Sequence, residues 1–359
     1  MALPPPCRLG TAPLLRGLLL VIAVSACDRE SLPPPVPDDA TWIVQAAPTS
    51  RALKSVQFID ARRGWAAGDS GTILHTSDGG ADWHHQPVPT AANLWSVHFI
   101  DGERGWCVGE GVLLQTTDGG RTWADRSPPD TPFLTDVLFL NAERGWIVEG
   151  PILDFSSIWT TENGGALWRR VETPNPTGLW SLFFHTPDSG WASGRKLMRT
   201  VDGGRTWTAA TLRTAGERLN DIVWIDEKDG WAVGENGLVL RTRDGGAFWE
   251  DIASGTARQL HAVQFPGPGS GWAVGEAGTI LRSSDGGATW SLVESGRAET
   301  LYDVCFVDRN RGWVVGDGGT ILRFGAPDRA NDNIPNPSGA PGKASDTPST
   351  TSYIKRGTP

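Results

Sequence analysis

Short apolar runs recur along the chain, alternating with polar residues and too short for helices. Between residues 260 and 293 they are Leu260–Phe265 (LHAVQF), Gly271–Gly275 (GWAVG), Thr279–Arg282 (TILR) and the run beginning at Trp290, separated by Gly, Asp, Ser and Pro. Such runs predict four short strands joined by tight turns. The same pattern returns with Gly-Trp pairs starting at Gly64, Gly105, Gly145, Gly190, Gly230, Gly271 and Gly312, spaced 41, 40, 45, 40, 41 and 41 residues apart. A period near forty with internal turn signals is the mark of a repeat architecture. Four antiparallel strands per unit make a propeller blade. The expected fold is therefore all-β, a seven-bladed β-propeller of four-stranded blades.

The ends of the array bear on closure. The seventh unit stops at Gly312–Phe324 (GWVVGDGGTILRF) without its own turn motif, whereas Asp38–Trp42 (DDATW) stands before the first unit and matches Asp285–Trp290 (DGGATW). The segment from Trp42 is expected to supply the outer strand of the last blade, closing the ring and leaving no open seam.

Each full unit carries Ser/Thr-x-Asp-Gly-Gly-x-x-Trp, with the acidic residue at Asp78, Asp118, Asp202, Asp244 and Asp285 and Asn163 in its place in the third unit. An Asx side chain bonds turn amides, the glycines supply positive φ, and the preceding hydroxyl adds a further bond. This motif resembles the Asp-box of bacterial neuraminidase repeats. That resemblance implies a structural turn on the side of the blades away from the site, so these six residues are not nominated for catalysis. Fourteen of the eighteen tryptophans fall at repeat positions, seven in the Gly-Trp pairs and seven at the turns, counting Trp42. They read as packing between sheets.

The whole repeat, LxxVxF…GWxVGExGTILRTxDGGxxW, resembles the photosystem II stability and assembly factor family and its relatives in non-photosynthetic bacteria. The resemblance spans residues 39–325. It implies a propeller without catalytic activity that scaffolds the assembly or stability of membrane protein complexes, and it leaves the client open.

Outside the repeats, residues 1–27 carry Arg8 and Arg16, the apolar run Leu18–Val24, and then Ser25-Ala26-Cys27. They read as a signal peptide with a hydrophobic core too short to span a membrane. Val24–Cys27 resembles a lipobox, which implies lipidation of Cys27 and a membrane anchor on the periplasmic or exterior side. Residues 28–38 are a proline-rich tether, 39–325 the propeller, and 326–359 a tail with almost nothing apolar to bury, expected to be disordered. Cys107 and Cys305 fall in the second and seventh blades, which are not neighbours, so a disulfide between them is not expected and both read as core residues.

With net charge −9 and no basic run, the chain does not look like a nucleic-acid binder. No cluster has metal-ligand spacing, His261 standing alone, and no phosphate loop or nucleophile elbow appears. No metal, cofactor or catalytic residue is assigned, and the chain is taken as a monomer. Function is instead sought where the repeat is broken. One position, following the repeated Leu of the first strand, varies as Lys54, Trp95, Thr135, Trp180, Asn220, His261 and Tyr302. It is either a contact surface, anchored by Trp95 and Trp180, or local packing. In the first case replacing both tryptophans spares folding. The loops before blades five, six, seven and one carry Arg213, Arg218, Arg258, Arg297 and Arg51, predicting a basic sector beside an aromatic one near Trp95, Phe133 and Trp180. These arginines meet either acidic loops of a client and anionic head groups, or their own turn acids Asp69, Glu110, Glu235, Glu276 and Asp317. The rival class is a glycan-binding protein or a sialidase-like hydrolase. Tyr302, the propeller's single tyrosine, and Glu149 with Asp154 in the blade-three insertion are its candidates; sialidases, however, resemble this chain in neither blade number nor their arginine motif.

Overall fold

A computed structural model describes residues 40–325 apart from 129, 131–132, 153–154, 174–177, 213–215 and 268. The leader with Cys27, the whole tether, the tail, Arg213 and Asp154 lie outside the described residues. Seven sheets, each of four antiparallel strands, follow one another. Blade one is Leu53–Phe58, Gly64–Gly68, Thr72–Thr76 and His84–His85. Blade six is Leu260–Gly267, Ser270–Gly275, Ile280–Ser283 and Ser291–Val293. Blade three, whose unit is the longest, extends its central hairpin as Gly145–Ile152 and Phe155–Thr161. First strands neighbour one another in succession, and that of blade seven packs beside that of blade one. The expected closure is observed: Thr41–Gln45 pairs with Ile321–Gly325 as the outer strand of blade seven.

The Gly-Trp pair has a packing reason. Trp65 lies flat against Phe99 of the next blade at 3.7 Å between ring centroids, and Phe99 stands edge-on to Trp123 of its own turn motif at 5.8 Å. The arrangement repeats blade by blade. At the seam Trp272 stacks on Phe306, which meets the displaced Trp42 edge-on at 5.9 Å. Glycine before each tryptophan leaves room for the ring below it: a Cβ on Gly64 would come within 2.5 Å of Phe58. Flat and edge-on pairs each add roughly 0.5–1.5 kcal/mol beyond burial.

The turn motif folds as its residue types require. In blade six Ser283 Oγ donates to Asp285 Oδ1 and accepts from the Gly287 amide, while Asp285 accepts from the Ala288 and Thr289 amides and the Thr289 hydroxyl. Asn163 accepts from the Thr161 hydroxyl and the Leu167 amide in the same way. These turns lie against the first-to-second turns, as in Gly79 N to Arg62 O. The second-to-third turns lie at the opposite face, beside the start of the first strand, as in Asp69 N to Ala52 O. Cys107 and Cys305 are buried thiols.

Candidate partner-binding face at the channel mouth

In all seven blades the first strand carries a β-bulge at one register, between Leu53 and Ser55 in blade one and at the matching place in the others. The residue left unpaired by each bulge is the variable one: Lys54, Trp95, Thr135, Trp180, Asn220, His261 or Tyr302. A bulge re-aims its side chain, and because first strands surround the axis, these seven gather at the mouth of the central channel. In six blades the second strand permits this approach through a glycine, Glu149 standing there in blade three; a Cβ on Gly275 would lie 2.0 Å from the Gln259 carbonyl oxygen.

The side chains touch around the ring. Lys54 Nζ sits 3.5 Å from the centroid of Tyr302 and 5.4 Å from that of Trp95. Trp95, Phe133 and Trp180 meet edge-on at 5.5, 6.4 and 6.1 Å. The Arg218 guanidinium lies 4.9 Å from the Trp180 ring. Asn220 Nδ2 donates to the Leu260 carbonyl at 2.7 Å, and His261 packs on Tyr302 at 5.3 Å. Lys54, Thr135, Asn220 and His261 are buried, while Trp95, Trp180 and Tyr302 are half-buried. Of the two readings the sequence left open for Trp95 and Trp180, local packing is present, since the two rings pack on each other and on Phe133, and their partial exposure leaves room for a contact role. Buried polar atoms without a partner remain here, namely Trp95 Nε1, Thr135 Oγ1, Asn220 Oδ1 and His261 Nδ1.

Burial and like charges from Lys54 and Arg218 pull His261 down to about 4. Burial lowers Lys54 against the opposing pull of Asp69 and Asp317. Burial, followed by the charge and hydrogen bond of Asp317, raises the Tyr302 phenol far above its ordinary value. At neutral pH the mouth therefore holds a neutral imidazole and a phenol that keeps its proton.

The predicted basic sector divides. Arg218 pairs with Glu235 at 3.5 Å, the turn acid of its own blade. Arg258 instead donates to the Ala277 carbonyl, and Arg297 stands 4.0 Å from Glu299. Arg51 is exposed. Glu110 accepts from Asn93, and Glu276 from the Gln259 amide. Glu149 is buried under Arg170, which binds it in two-pronged fashion at 2.9 and 3.0 Å, and it accepts from Trp159. Among the described residues no three His, Cys, Asp or Glu side chains come together as a ligand set.

Sequence reasoning missed the residue after each bulge. Asp136, Asp221 and Asp303 are buried there and tie blade to blade: Asp136 accepts the Leu182 amide, Asp221 that of Val263, and Asp303 that of Val56 across the seam. The available signal was an acid inside an otherwise apolar strand.

Fold and face together define a seven-bladed Asp-box propeller whose channel mouth is ringed by aromatic and basic side chains. The chain belongs to the family described as photosynthesis system II assembly factor YCF48, whose model matches residues 35–124, 81–177, 165–260 and 252–325. Photosystem II assembly lipoprotein Ycf48 of Synechocystis sp. is 28% identical over 100 residues, 23% of this chain and 29% of that protein. The matched segment is thus under a third of that relative's length. The solved structure of YCF48 bound to D1 peptide superposes with a TM-score of 0.69 at 24% identity, covering 82% of this chain and 99% of that one. The GH74 xyloglucanase from Xanthomonas campestris shares the fold with a TM-score of 0.61 at 14% identity, covering 79% of this chain and 53% of that one.

Proposed function

We propose that this chain is a non-enzymatic scaffold that assists the assembly or stability of a membrane protein complex, engaging a client segment at the channel mouth from the cell-envelope side. The observation that carries this reading is the ring of bulged residues. Aromatic, cationic and partnerless polar groups converge on one small area at the same register of seven blades, and rigid strands hold them. Membership of the assembly-factor family supports the role, and the peptide-bound relative supports a peptide as the client's contribution. The exposed Arg51 and Arg258 flank the mouth and favour an acidic segment. A lipid on Cys27 would hold the protein at a membrane, in keeping with the lipoprotein among its relatives; no helix among the described residues is long and apolar enough to cross one.

Two of the three residues named for a glycan hydrolase, Tyr302 and Glu149, are poorly suited to that chemistry, and the third, Asp154, lies outside the described residues. A phenol whose pKa is raised by burial and nearby acids makes a poor nucleophile, and Glu149 is held by Arg170. Crosslinking in cells, followed by capture from membranes and mass spectrometry of the linked positions, tests the proposal. Links from the Trp95, Trp180 and Arg218 face to one membrane complex are expected; retention of a glycan without a protein partner would overturn it.

A further inference from the structure

Exposed large apolar side chains on the Asp-box face are concentrated on consecutive blades. Leu167, Val201 and Phe248 are 74%, 67% and 48% exposed, in the turns of blades three, four and five. Folding alone does not call for them. At the register of Leu167 and Phe248 the other boxes have Asp82, Thr122, Thr206 and Thr289, and each of those threonine hydroxyls donates to its box carboxylate. Leucine and phenylalanine give up that bond and put an apolar group into water.

Charge changes at the same place. A groove of about 680 Å³ between blades three and four is lined by Arg144, Arg169 and Arg205 against the single acid Glu162. Its box residue is Asn163, where the other five boxes have aspartate. Arg144 and Arg205 meet Asp188 and Glu162 at 3.4 and 3.3 Å, but those acids are 69% and 71% exposed. Exposed pairs are weak and exchange readily for another anion.

The chain itself says which partner this face meets. Thr41 pairs with Gly325 at the Asp-box end of blade seven, so the chain enters blade seven on this face. Cys27 precedes Thr41 by 14 residues (41 − 27), a reach of at most about 50 Å. We propose that the Asp-box face of blades three to five rests on a phospholipid bilayer, with Leu167, Val201 and Phe248 in the interface and the arginine groove seating a lipid phosphate. Apolar groups dipping into the interface beside arginines are the two components of interfacial binding. The opposite face, with the channel mouth, then points away from the bilayer; this surface stands independently of the function proposed for the mouth.

The test is flotation of the full chain carrying Cys27→Ala with vesicles of phosphatidylethanolamine and phosphatidylglycerol. Every variant keeps the same leader, so differences report on this face. Leu167→Asp with Phe248→Asp is expected to lower partitioning at least about tenfold with an unchanged Tm, since both side chains are exposed, and Arg169→Glu to lower it further. Trp95→Ala, on the other face, leaves partitioning as it was. Equal partitioning of the double variant overturns the proposal. So does unchanged partitioning with loss of a captured protein, which would make the surface a protein interface.

Discussion

At the residue scale, an exposed carboxylate in this protein is structural because of what it accepts. Asp285 is held down to about 2 chiefly by the Thr289 hydroxyl and amide, and Asp118 likewise by Thr122. A folded pKa below the ordinary 3.8 means that the contribution is present above about pH 4 and is lost as pH falls through 4 toward 2. Tm should therefore drop over that window. Asp285→Asn should flatten the drop yet keep most of the stability at neutral pH, because Asn163 already performs the same turn. Asp285→Ala removes the acceptor as well and is expected to cost about 1–2 kcal/mol, read by urea denaturation at pH 7. The mouth behaves otherwise. Since Trp95 and Trp180 pack on each other and on Phe133, replacing either with alanine should cost about 1–3 kcal/mol as well as client capture. Full stability of the double variant would mean that the aromatic cluster does not hold in solution.

At the element scale, the unit was legible in the sequence because its two signals are local. Alternation of apolar residues places the strands, and Asp-Gly-Gly places the turn. The bulge was not legible. Lys54, Trp95 and their counterparts showed as a variable register, yet a strand pattern of period two gives no sign that one residue per blade is unpaired and turned toward the axis. The blade-to-blade role of the buried Asp136, Asp221 and Asp303 was missed for a related reason: the acid inside an apolar strand shows locally, but the amides it ties in the next blade lie some forty residues away or, for Val56, across the seam. The bulge also makes a demand on the neighbouring strand. With its Cβ 2.0 Å from the Gln259 carbonyl oxygen, alanine at Gly275 must push the bulged strand away, so Gly275→Ala is expected to cost about 1–3 kcal/mol. It should also displace His261 and Tyr302, weakening client capture beyond what the stability loss accounts for. An alanine variant with wild-type Tm would show that the strands are farther apart than described.

At the scale of the whole molecule, six blades are made by adjacent sequence and one is not. Bringing Thr41–Gln45 onto Ile321–Gly325 closes a loop of about 280 residues, an entropy cost of about 5 kcal/mol by loop scaling. Identifiable contacts offset it, the flat stacking of Phe58 on Trp313 at 3.4 Å among them. Trp42 is 8% exposed and meets Trp272, Phe306 and Phe324 at 5.4, 5.9 and 5.2 Å, while Asp303 accepts the Val56 amide and Cys305 Sγ accepts that of Phe58. Trp249 holds the same place in blade five, 4% exposed, but its strand Glu250–Asp251 is tied to the hairpin before it by a short turn. Trp42→Ala and Trp249→Ala each remove one indole, at about 3–5 kcal/mol of gross cost. Their consequences should differ. In blade five the loss is felt by the cooperative unit, so the urea midpoint falls with an unchanged m. In blade seven the closing strand can leave on its own, so amide exchange at residues 41–45 rises toward that of an unstructured segment and m falls as the native state itself opens. If both variants lose stability alike and residues 41–45 remain protected from exchange, then the strand ladder and the other contacts across the seam suffice to close the ring without the tryptophan.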